Sequence, residues 1–106
     1  MESQPPIGKI TVAPTVLETI ARLTTLAVPG VVRMMSQGFL GQDGVKLEID
    51  GNRVRVDLFV MTKPDANMLS LGRKIQMEVT RAIQDMVGME VEAINVHIED
   101  VARSTN

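Results

Sequence analysis

The chain has 106 residues, a net charge of −2, 44% hydrophobic residues and 23% charged residues. That fits one domain with its own core and leaves no room for a second. It contains no cysteine, which excludes disulfides, thiol catalysis and cysteine-ligated zinc or iron–sulfur centres. No apolar run approaches the ~20 residues needed to cross a bilayer. Residues 1–9, MESQPPIGK, lack the basic-then-apolar order of a secretory signal, so a soluble intracellular protein with no membrane insertion of its own is expected.

Nucleic-acid binding is disfavoured. Phosphate backbones call for clustered positive charge, yet residues 85–100 carry Asp85, Glu90, Glu92, Glu99 and Asp100 with no Lys or Arg. The aromatic residues are Phe39 and Phe59, with no Trp or Tyr, too few for a base-stacking platform.

In chain order, residues 1–6 read as a disordered lead. IGKITV (7–12) alternates Ile10 and Val12 with Lys9 and Thr11 and predicts a half-buried strand. Pro14 suits the first turn of a helix. Val16, Leu17, Ile20, Leu23 and Ala27 then recur at helical spacing, with Thr15, Glu18, Thr19, Arg22 and Thr25 opposite. Pro29-Gly30 ends that helix. VVRMM (31–35) predicts a short strand, and SQGFLGQDG (36–44), with three glycines, a loop.

VKLEID and RVRVDLFVM flank Gly51-Asn52, which fits a two-residue type II′ hairpin. Charge tests the register. Across this turn Lys46 meets Asp57, Glu48 meets Arg55 and Asp50 meets Arg53, while Val45, Leu47 and Ile49 meet Leu58, Val56 and Val54. A turn built on Asp50-Gly51 would instead set Lys46 against Arg55. After TKPDANM, with Asp65 or Asn67 as cap, a second helix is predicted from about Met68 to Val87. Its apolar stripe is Leu71, Ile75, Val79, Ala82, Ile83 and Met86, with Gly72 near the stripe as a site of close packing. Gly88 suits the position just past its C-terminus. The last strand, about 91–101, buries Ile94, Val96 and Ile98 and turns Asn95, His97 and Glu99 outward. Residues 102–106 should fray.

The expected fold is α+β: a mainly antiparallel sheet with two helices packed on one face, in the order β-α-β-β-β-α-β with a short second strand. Residues 7–101 form the single domain.

No catalytic constellation is assembled by these elements. His97, the lone histidine, shares a strand face with Glu99, and both could reach one metal ion. A useful site needs a third ligand, and the other residues of that face are Lys46, Glu48, Arg55 and Asp57. No serine sits in a G-x-S-x-G turn, and there is no P-loop. The glycines at 38, 41 and 44 precede a strand, so no helix N-terminus points from them at an anion. Catalytic, cofactor-binding and metal residues are therefore expected to be absent. Two features carry interest as partner contacts. Phe39 and Leu40, in the glycine loop, form either a docking knob or a cap folded back on the core. Phe59 and Met61, on the otherwise charged face of the hairpin strand, border either a subunit interface or a covered sheet edge. Of the eight methionines, Met68, Met86 and one of Met34 or Met35 fit core positions.

Three strings in order resemble the alkaline shock protein family of envelope stress-response proteins. GKITVAPTVLETIARLTTLAVPGV (8–31) carries Gly8, Ile10, Ile20-Ala21 and Val28-Pro29-Gly30-Val31. The segment from Ile75-Gln76 to Gly88-Met89 resembles that family's second helix, and INVHIEDV (94–101) its closing strand. The likeness covers residues 7–101. One departure follows the third strand, where many members have an aromatic–glycine pair and this chain has Met61-Thr62-Lys63-Pro64. The resemblance implies a non-enzymatic cytoplasmic protein that self-associates and binds a protein partner, including a membrane-anchored one. Its alternative is a regulatory module acting on a lipid-metabolism enzyme.

Overall fold

The computed structural model describes residues 7–103, except the side chains of residues 40–42. Its elements are α1 (Pro14–Leu26), β1 (Val31–Met34), a 3₁₀ segment (Gly38–Gly44), β2 (Val45–Asp50), β3 (Arg53–Thr62), α2 (Met68–Met86) and β4 (Glu90–Val101). The fold class is as expected: two helices on one side of a four-stranded, mainly antiparallel sheet.

β3 is the centre of the sheet. Along one edge it pairs antiparallel with β2 over residues 53–58 and with β1 over residues 60–62. Along the other it pairs parallel with β4 over its whole length, Arg53↔Glu90 to Thr62↔Val101. The crossover through α2 makes that parallel pairing reachable, since parallel neighbours need a connection of a dozen or more residues. The β2–β3 register is the one charge pairing selects, from Val45↔Leu58 to Asp50↔Arg53. Gly51 has φ 60° and Asn52 is not among the positive-φ residues, the type II′ pattern.

On β3, Val54, Val56, Leu58, Val60 and Thr62 are completely buried beneath the helices, while the intervening residues face the other way. α1 packs over β1 and β2, α2 over β4, and the helices pack on each other. The core joins these β3 residues to Leu17, Ala21, Ile75, Val79, Ile83 and Ile94. Asn67 is the α2 cap, its side-chain oxygen accepting from Ser70 N at 2.9 Å. Gly88, at φ 77°, donates to Ile83 O and Gln84 O and closes the helix. Lys74 and Glu78 pair at 3.3 Å one turn apart.

Four expectations are corrected. The opening strand, residues 7–12, is not one: those residues have no regular structure, and Ile10 is 96% exposed. Alternation makes a segment amphipathic, but a strand needs a ladder partner. Ala13 is extended before Pro14 (φ −68°, ψ 147°), and residues 7–12 pair with no strand of the sheet. On α1 the buried row is Leu17, Ala21 and Thr25, leaving Val16 and Leu23 exposed. Thr25 is tolerated inside because its hydroxyl donates to Ala21 O at 2.7 Å. Met68 and Met86, at the ends of α2, are exposed, because the stripe runs past the sheet it covers. Gly72 meets nothing: a Cβ there would have no neighbour within 4 Å. The expected lead (1–6) and most of the expected frayed tail (102–106) lie outside the described residues.

Candidate functional site

The face of the sheet without helices collects most of the chemistry-bearing side chains. Alternation on β3 presents Arg53, Arg55, Asp57, Phe59 and Met61 there. At the hairpin end, charges neutralise one another. Arg55 lies between Glu48 and Glu92, with Nη–Oε distances of 3.4 and 3.5 Å, and Arg53 lies 3.7 Å from Glu90. These pairs are solvent-exposed, so they specify register and contribute little stability.

His97 occupies the middle of this face. Its Nε2 lies 2.9 Å from Asp57 Oδ1, so Nε2–H donates to the carboxylate. Its ring lies on that of Phe59, with centroids 4.5 Å apart and planes at 11°. The parallel register brings them together, pairing Phe59 with His97 and Asp57 with Asn95. Glu99 falls at the irregularity between Ile98 and Asp100, where β4 gains one residue over β3. Among the described residues, no group of three His, Asp or Glu side chains could hold a metal ion. A His–Asp couple orients an imidazole for base catalysis only where a nucleophile stands at its other side. The partners of His97 are an aromatic ring and a carboxylate. Asp57 was visible in the sequence as a residue of this face. Its pairing with His97 was not, because nothing local to either strand says that β4 docks on β3.

The four expected contact residues are split between two places. Phe59 and Met61 are half-buried on the helix-free face, Phe59 under His97 and Met61 paired with Arg33 of β1 and Asp100 of β4. Phe39 is 95% exposed. It borders a groove of about 400 Å³ between the start of α1 and β2, together with Pro14, Glu18 and Leu47. The side chain of Leu40 lies outside the described residues. Phe39 therefore does not fold back to cap the core.

The 3₁₀ segment is held to the sheet by Gly44. At φ 77°, its absent Cβ would stand 2.8 Å from Met34 Cβ and 2.9 Å from Phe59 O. Gly44 fills the gap where β1 and β2 meet end to end along β3. Met35 N also donates to Phe59 O there, at 2.7 Å.

A second groove, of about 460 Å³, lies between the α1–β1 turn and the start of α2 and is lined by Val28, Gly30, Lys63, Ala66 and Leu71 among others. Gly30, at φ 107°, brings its backbone against Leu71 and accepts from Lys63 N. The Val28-Pro29-Gly30-Val31 string thus closes the α1–β1 turn onto α2.

Comparison with known proteins gives a family and a fold. The family model for alkaline shock protein 23, described as having a cell envelope-related function, matches residues 2–103. The protein Spy1535 of Streptococcus pyogenes serotype M6 is 33% identical over 105 residues, covering 90% of this chain and 80% of its own. YqhY of Bacillus subtilis is 22% identical over 109 residues, covering 93% and 81%. Among solved structures, a zinc form of the MamM CTD superposes with a TM-score of 0.57 at 14% identity, covering 87% of this chain and 88% of that one. A manganese form does so at 0.56 and 14%, covering 83% and 99%. At these identities the likeness is one of fold.

Proposed function

Because the chain belongs to the alkaline shock protein 23 family, whose function is related to the cell envelope, we propose that it is a non-enzymatic interaction protein. It works from the cytoplasmic side in the manner of an envelope-stress scaffold, through self-association and through a protein partner, including a membrane-anchored one. The supporting observation is the contrast between its two kinds of surface. On the sheet face, several ionisable groups pair with one another, as Arg55 does with Glu48 and Glu92 and His97 with Asp57. Elsewhere apolar side chains stay uncovered, among them Ile10, Val16 and Leu23, Phe39 in the 3₁₀ segment and Ile49 on β2. Their exposed apolar area is available to a partner.

Among the described residues, no helix is long and apolar enough to cross a membrane. The outer faces of both helices mix both charges, so contact with the bilayer runs through the partner. Crosslinking in cells followed by partner identification tests this reading. An envelope or membrane-anchored partner is expected. A partner set made only of soluble lipid-metabolism enzymes would replace it with the regulatory alternative. Binding of the pure protein to neutral liposomes would contradict the indirect membrane contact.

A further inference from the structure

The segment Ile7–Val12 has the alternation of a strand but pairs with no strand of its own sheet. Ile10 is 96% exposed, and among the described residues no backbone hydrogen bond joins residues 7–12 to the domain. β2 has the converse defect. It pairs with β3 on one side only, and its other edge borders the groove in which Phe39 and Pro14 stand. Its inward row loses cover toward the hairpin: Val45 is buried, Leu47 half-buried and Ile49 43% exposed. The two pieces match in length, residues 7–12 and 45–50. They also match in pattern. With Ile10 and Val12 turned toward the groove, Lys9 falls on the face that carries Lys46, Glu48 and Asp50, a row of net negative charge that favours the pairing in registers setting Lys9 near either carboxylate.

We propose that Ile7–Val12 adds as a fifth strand to the open edge of β2 in a second copy of this chain, the two copies exchanging segments. The occupant is a second copy because Pro14 disfavours the return within one chain. Folding back over so short a connection needs a turn at Ala13, and a residue before proline is driven out of the helical region toward the extended one. Ala13 is extended, at ψ 147°, and makes no such turn. Strand addition satisfies backbone donors and acceptors along a six-residue edge and covers Ile10 and Ile49 twice per dimer. The competing homotypic pairing, β4 on β4, is opposed by charge: an antiparallel arrangement sets Glu90 and Glu92 of one copy against Glu99 and Asp100 of the other.

This inference rests on the self-association named above and assigns it a surface. The chain has no cysteine, so introduced ones report cleanly. Thr11→Cys is made in one full-length chain, and Lys46→Cys, Glu48→Cys or Asp50→Cys in another, spanning the edge so that no register is assumed. Mixed and oxidised, they should give a covalent heterodimer for at least one pair. Sedimentation should show the parent chain as a dimer, and Ile10→Asp should raise its dissociation constant about tenfold or more, given the apolar area lost. A chain carrying both cysteines that closes only on itself would overturn the exchange, as would the absence of any cross-chain disulfide. A dimer insensitive to Ile10→Asp would overturn the strand exchange and leave the scaffold function standing. A chain that stays monomeric, yet captures its partner in cells, would remove self-association and leave partner binding.

Discussion

Phe59 and His97, paired in register on β3 and β4, lie ring on ring with planes 11° apart. The contact ties the edge strand to the centre of the sheet on the side no helix covers. Aromatic pairs of this kind contribute about 0.5–1.5 kcal/mol beyond area burial. Because His97 is partly exposed, the lower half of that range is expected. A double-mutant cycle of Phe59→Ala and His97→Ala, read by urea denaturation, should show that coupling. Strict additivity would mean that the stack adds nothing.

Gly44 should be intolerant of any side chain. Its backbone is left-handed, and an added Cβ meets both Met34 Cβ and the Phe59 carbonyl inside 3 Å. Neither neighbour can step aside without breaking the junction of β1 and β2 on β3. Gly44→Ala should lower unfolding free energy by about 2 kcal/mol or more, measurable as a reduced urea midpoint. An unchanged midpoint would show that the junction can relax.

Gly72 should behave in the opposite way. It lies inside α2 and a Cβ there has no neighbour within 4 Å. Gly72→Ala should stabilise the domain by about 0.5–1 kcal/mol through helix propensity and a less flexible unfolded chain. A loss of stability on thermal unfolding would reveal a partner that occupies the space.

Thr62 ends the buried row of β3. It is completely buried, and its hydroxyl has no hydrogen-bond partner among the described residues. Removing an unpaired buried hydroxyl while keeping the side-chain shape relieves a penalty of about 1–3 kcal/mol. Thr62→Val should therefore be neutral to stabilising by thermal denaturation. Thr25→Val should not, because its hydroxyl is bonded to Ala21 O. If both substitutions destabilise equally, Thr62 is not unpaired.

Where pattern and partner are adjacent in sequence, the sequence was sufficient. The β2–β3 register followed from three charge pairs across a two-residue turn. The end signals of α2, Asn67 and Gly88, act within a single turn of chain. Where the partner is remote, it was not. Nothing in INVHIEDV states that its neighbour is β3 or that the pairing is parallel, so the bond from His97 to Asp57 could not be read. On α1, two apolar rows compete. The row with Val16 and Leu23 looks richer, yet Leu17, Ala21 and Thr25 face the core, because a back-bonded threonine behaves as a small buried residue. Residues 7–12 have the pattern of a strand without the neighbour that would make them one. The four candidate contact residues could be singled out as apolar among polar neighbours. Their division between the sheet face and the β2 groove needed the fold.

β3 is flanked on both edges, and the strand that covers one of them entirely is β4, beyond α2. During synthesis the hairpin and both helices can therefore emerge while the central strand still has one bare edge and the core still lacks Ile94. A nascent chain stalled before Glu90 should stay loose and open to proteases and chaperones. Closure of the sheet and of the core around Ile94 therefore waits for residues 90–101.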